Sequence, residues 1–101
     1  TNSDVEFLGV TLWKDMPGYY IDWHKDNELL IATMQTYIND LENPGTTFKV
    51  NDTEYDCKFT PNTGYIACQQ DSNRPLHKLS SDVINVRYSL FAMWGKPGSK
   101  V

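Results

Sequence analysis

The chain has 101 residues, enough for one hydrophobic core and no more. With 40% hydrophobic and 13% aromatic residues it has the makings of a folded β-rich domain rather than a disordered tail. The formal net charge is -4 and no basic block interrupts it, so a nucleic-acid partner is not expected.

Short β runs punctuated by turn residues follow in chain order. Residues 5–13 alternate apolar and polar, and Pro17-Gly18 turns the chain into a second run, 19–24. Asp26-Asn27 breaks that run. The apolar-rich stretch 29–38 is rich in Ile, Thr and Tyr, which favours a strand over a helix. Residues 39–45 form a loop containing Asn43-Pro44-Gly45. Three short strands are expected at 46–50, 55–59 and 64–69, then a polar loop at 71–75, a brief strand at 76–79 and a closing strand at 83–94. About eight strands with little helix predict an all-β double sheet of jelly-roll, cupin-like type, occupying residues 1–101 as one domain.

Two cysteines, Cys57 and Cys68, are too few for a disulfide framework; two reduced, half-buried thiols are the expectation, with a lone bridge across a hairpin as the alternative. No apolar run reaches membrane-spanning length, and the polar opening Thr1-Asn2-Ser3-Asp4 has no leader pattern, so a cytoplasmic protein is expected.

Both histidines of the chain enter one pattern. In a strand, residues i and i+2 share a face, so His24 and Asp26 would aim an imidazole and a carboxylate at one ion with Lys25 turned away. His77, from a strand brought alongside, would complete two histidines and one carboxylate, the facial set that holds non-haem Fe(II) with open positions. The plainer alternative is a surface histidine beside an aspartate.

The closing strand divides by its two-residue period. Val83, Asn85, Arg87, Ser89, Phe91 and Met93 share one face; Ile84, Val86, Tyr88, Leu90, Ala92 and Trp94 share the other. An arginine pointing into a core needs an anion. That anion is either a buried Asp or Glu, or a bound carboxylate gripped by the guanidinium with help from Ser89. Tyr37, on the more polar face of 29–38, is either a core phenol or a second donor to that ligand. Trp23 is read as packing. The loops 14–18 and 71–75 would frame the mouth of the site.

These residues resemble the Fe(II)- and 2-oxoglutarate-dependent oxygenases, most closely the prolyl-4-hydroxylase-like branch. The matching stretches are Pro17-Gly18-Tyr19-Tyr20-Ile21-Asp22-Trp23-His24-Lys25-Asp26-Asn27, Tyr37-Ile38-Asn39-Asp40, Gly45-Thr46-Thr47-Phe48, Pro61-Asn62-Thr63-Gly64-Tyr65-Ile66, His77, and Arg87-Tyr88-Ser89-Leu90-Phe91-Ala92-Met93-Trp94. The resemblance covers most of the chain. It implies His24, Asp26 and His77 as iron ligands and as the catalytic centre, with Arg87, Ser89 and Tyr37 around the distal carboxylate of 2-oxoglutarate. It implies O2 as the oxidant, ascorbate as an accessory reductant, and hydroxylation of a protein side chain such as proline, or of a small molecule, as 2-oxoglutarate is decarboxylated to succinate. A non-catalytic cupin-like metal- or ligand-binding module and a truncated core of a larger oxygenase are the alternatives.

Two departures stand out. The Gly45-Thr46-Thr47 stretch lacks the fuller Gly-Gly-Glu pattern of the branch. The family also implies helices ahead of the first core strand, whereas almost nothing precedes Val5. Leu8, Val10, Leu12, Leu30, Ala32, Met34, Ile38, Ile84, Val86, Leu90 and Trp94 would then form an apolar outer face, expected to be covered by a second copy of the chain or by further segments.

Overall fold

The architecture is all-β. A computed structural model describes residues 5–68 and 75–98, and among them there are seven strands and no helix. In chain order these are β1 (Glu6–Asp15), β2 (Leu30–Tyr37), β3 (Thr46–Val50), β4 (Thr53–Cys57), β5 (Gly64–Cys68), β6 (Leu76–Leu79) and β7 (Arg87–Gly95). They form two antiparallel sheets, one of four strands in the order β1-β7-β2-β5 and one of three in the order β4-β3-β6. No helix of the described residues is long and apolar enough to cross a membrane.

Local chemistry explains the tightest connection. Val50 pairs with Thr53, and the two residues between them, Asn51 and Asp52, adopt φ of 50° and 64°. Asn and Asp tolerate this left-handed conformation, and two consecutive positive φ values make the hairpin turn whose twist suits the flanking strands.

The register sets which side chains look inward. Thr11, Phe91, Gln35 and Tyr65 form one row across the larger sheet, and Trp13, Ser89 and Tyr37 form the next. Asp15 lies opposite Arg87 at the end of β1. The interior these rows face is unusually polar. Among the described side chains, Leu30, Tyr37, Leu79, Val83 and Ala92 are the buried apolar set, against Asp15, Thr33, Gln35, Thr46, Thr47, His77, Arg87 and Ser89 as the polar one. Such an interior is held by hydrogen bonds and ion pairs as much as by apolar burial. Tyr65 OH donates to Gln35 Oε1 at 2.9 Å, and Gln35 Nε2 donates to Ser89 Oγ at 2.9 Å.

Several expectations need correction. Residues 19–24 are not a strand. They run antiparallel beside β6 through scattered backbone bonds, from Val83 N to Tyr19 O, from Leu79 N to Ile21 O, and reciprocally between His24 and His77. The cause is local: Asp22 Oδ1 accepts from Trp23 N, and Asp22 O accepts from the His24 ring, so side chains compete with a regular ladder. β7 begins at Arg87 rather than residue 83, because Asn39 and Asn43 side chains bond the backbone of residues 84–88 in place of a neighbouring strand. β4 begins at Thr53, two residues before the expected 55, since the Asn51-Asp52 turn is so short. Gln69 of the expected strand 64–69 and residues 71–74 of the expected mouth loop lie outside the described residues.

Of the expected outer face, Val10, Leu12, Ala32, Met34, Leu90 and Trp94 lie on strands of the larger sheet, whereas Ile38 follows β2 and Ile84 and Val86 precede β7. Val10, Ala92, Met34 and Ile66 form one row and Leu12, Leu90, Thr36 and Gly64 the next. Leu12 and Ile66 are 61% and 68% exposed. Leu30 departs from it: a bulge between Leu30 and Ala32 reverses its facing, and it is buried. Ala92 is buried within the face because larger neighbours flank its short side chain.

Candidate metal centre

His77 sits on β6, opposite Phe48 of β3, with the two rings 5.5 Å apart. The segment after the second turn reaches it through the paired backbone bonds of His24 and His77, 3.0 Å in both directions. That pairing brings the two imidazoles to a centroid distance of 4.2 Å with their planes tilted by 58°. Asp26 follows two residues later, and the chain then turns sharply. Leu29 N bonds Asn27 Oδ1 and Leu30 N bonds Asn27 O, an Asx turn that delivers the chain into β2. Asp26 is thereby held against both sheets: its Oδ1 lies 3.3 Å from His77 Nε2, and its Oδ2 lies 3.5 Å from Thr33 Oγ1 on β2.

The predicted triad is therefore together in space. One donor atom each from His24, Asp26 and His77 lie within 4.8 Å of one another. Adjacent ligands at about 2.1 Å from one ion and about 90° apart are separated by roughly 3 Å. The Asp26–His77 separation of 3.3 Å matches that spacing. The donor set, two imidazoles and one carboxylate, suits a transition metal rather than a hard cation.

The ring of His24 is oriented from behind. Its Nδ1 donates to the carbonyl of Asp22 at 2.8 Å, so the proton stays on Nδ1 and Nε2 keeps its lone pair for a ligand. His77 Nδ1 is buried and has no hydrogen-bond partner among the described residues.

A cavity of about 140 Å³ opens beside the triad. His24, Asp26 and His77 line it, and so do Trp13, Tyr19, Asp15 and Arg87. Trp23 is half-buried, with the ammonium groups of Lys78 and Lys49 at 4.8 Å and 5.8 Å from its ring.

Arg87, Ser89 and Tyr37 are all buried on the inner face of the larger sheet, and each already has a partner. Arg87 Nη1 donates to Asp15 Oδ2 at 2.8 Å, and its Nε donates to the Pro44 carbonyl at 3.0 Å. The Tyr37 and Phe59 rings each lie 5.1 Å from its guanidinium carbon. Arg87 Nη2 is buried and unpartnered among the described residues. Ser89 accepts from Gln35, and Tyr37 OH shares a 2.8 Å hydrogen bond with Thr46 Oγ1. Burial holds the phenols of Tyr37 and Tyr65 protonated well above the ordinary tyrosine range. Of the two partners open to Arg87, an internal acid is thus present.

Asp15 is the residue that the sequence pattern missed. Continuing the alternation of Thr11 and Trp13 by one more step would have found it on the inner face. Gln35, which links Tyr65 to Ser89, lay on the expected face but carried no signal of its own. Cys57 is half-buried, Cys68 is exposed, and both are free thiols. No family model matches the chain, and comparison with curated proteins and with solved structures finds no match either.

Proposed function

We propose that the chain is a non-haem Fe(II)- and 2-oxoglutarate-dependent dioxygenase on a double-stranded β-helix core, hydroxylating a protein side chain or a small molecule. The convergence of His24, Asp26 and His77 on the wall of a cavity that Arg87 also lines carries this reading. Iron with a chelating 2-oxo acid would activate O2 for hydroxylation, one oxygen atom going to the product and the other to succinate as 2-oxoglutarate loses carbon dioxide.

This chain's own residues have narrower tasks. His24 presents Nε2 because the Asp22 carbonyl holds its other nitrogen. Asp26 brings the one negative charge of the triad, and Thr33 steadies its second oxygen. Arg87, fixed by Pro44 and two aromatic rings, offers Nη2 to an anionic oxygen, and an orphaned buried donor of that kind suits a carboxylate. Trp13 and Phe91, with rings 5.6 Å apart, wall the cavity on the β1 side.

Anaerobic addition of Fe(II) and then 2-oxoglutarate should produce the visible charge-transfer band of the chelated complex, absent in His77→Ala. A folded wild-type protein that binds Fe(II) and develops no band would defeat the proposal. A metal-binding module without turnover is the second reading, favoured by one observation: Asp15 already neutralises Arg87. Consumption of 2-oxoglutarate separates the two.

A further inference from the structure

Asp15 and Arg87 are direct cross-strand partners at the end of β1. Arg87 is 2% exposed, and three of its surroundings fix the guanidinium: the Pro44 carbonyl, the Tyr37 ring and the Phe59 ring. Only one of its two terminal nitrogens meets Asp15; Nη2 has no partner among the described residues. A guanidinium binds a carboxylate best through two parallel N–H···O bonds. The internal acid therefore uses half of a fork, and both members of the pair line the cavity shared with the triad.

We propose that Asp15 is the residue that sets co-substrate specificity at this site. Its carboxylate occupies half of the fork that the distal carboxylate of a 2-oxo dicarboxylate would take, so such a ligand gains both terminal nitrogens of Arg87 only by displacing Asp15 and otherwise meets Nη2 alone. The inference rests on the dioxygenase reading above. Two effects follow from charge. The new ion pair is offset by the loss of the old one, and the displaced carboxylate stays in the same low-dielectric wall as the incoming one, where like charges repel. A 2-oxo acid with no distal carboxylate meets neither penalty. The wild-type site therefore discriminates little between the two classes.

The test uses the full chain loaded anaerobically with Fe(II). 2-Oxoglutarate and 2-oxobutyrate are titrated separately into wild type and Asp15→Asn, with the charge-transfer band as readout. In wild type, the midpoints for the two acids should lie within about ten-fold of each other, whereas an open arginine seat would favour the dicarboxylate far more strongly. In Asp15→Asn the 2-oxoglutarate midpoint should fall by about ten-fold or more, with 2-oxobutyrate unmoved. An unchanged or weakened 2-oxoglutarate midpoint in the variant, or equal tightening for both acids, overturns the assignment while leaving the dioxygenase reading intact. Fe(II) binding without a band for either acid in either protein overturns both. If Asp15→Asn does not fold, the wild-type preference decides alone: a dicarboxylate preference clearly beyond about ten-fold means that Asp15 does not hold the seat.

Discussion

Replacing Asp15 with alanine should cost this protein a large share of its stability. The Asp15–Arg87 contact is 2.8 Å long, and its side chains are 10% and 2% exposed. Breaking a buried ion pair by removing one partner typically costs about 3–5 kcal/mol, because the other charge is left uncompensated. A domain of this size has roughly 5–15 kcal/mol in total. Urea unfolding followed by tryptophan fluorescence should therefore show a sharply lower midpoint with little change in slope. Arg87→Ala should cost more, since it also frees the Pro44 carbonyl and removes the cation lying over Tyr37 and Phe59. The double change Asp15→Leu with Arg87→Met removes both charges and should lose much less than the two single alanine changes together. A loss under about 1 kcal/mol for Asp15→Ala, the range of exposed pairs, would refute the burial argument. Arg87→Ala is consequently a poor probe of co-substrate binding, because lost binding and lost fold would coincide.

Excess Fe(II), added anaerobically, should stabilise the wild type, by about 2.7 kcal/mol at a hundred times its dissociation constant and upwards of about 10 °C in Tm. A chelator should reverse this, and His77→Ala should show no shift in the same thermal scan. Gly64→Ala should weaken the fold by about 1–3 kcal/mol in denaturant titration, since a Cβ there would overlap the Gln35 carbonyl oxygen and push β5 off β2. Burial favours the neutral phenols of Tyr37 and Tyr65, so their share of stability is present below the ordinary pKa of 10.0 and falls as pH rises past it. In a spectrophotometric alkaline titration those two tyrosines should ionise last, together with unfolding; six tyrosines titrating normally in a folded protein would contradict this.

Side-chain period carried the sequence reading where strands are regular. Thr33, Gln35 and Tyr37 of β2 are buried together, as are Arg87 and Ser89 of β7. His24, Asp26 and His77 converge although 19–24 is no strand, because one pair of backbone bonds to β6 is enough to bring His24 beside His77. Other features depend on distant or irregular partners. Asp15 meets Arg87 across 72 residues, a register that local pattern does not contain. The asparagines of the 39–45 loop displace the start of β7, and a single bulge turns Leu30 inward. These are hydrogen-bond choices between competing partners, to which hydropathy is blind.

The partners of Arg87, Ser89 and Tyr37 also rank what a ligand must break. Ser89 and Tyr37 are held by neutral hydrogen bonds to Gln35 and Thr46, each worth about 1 kcal/mol net. Arg87 is held by a buried, charge-assisted bond to Asp15, costlier to exchange. Neither Ser89 nor Tyr37 lines the cavity, so a carboxylate arriving there reaches Arg87, in competition with Asp15, rather than either hydroxyl. Ser89→Ala should therefore act mainly by leaving Gln35 Nε2 without its acceptor, lowering stability modestly and moving 2-oxoglutarate affinity little. A Ser89→Ala variant of unchanged stability and much weaker affinity would place the carboxylate on the hydroxyl and shift the discriminating role away from Asp15.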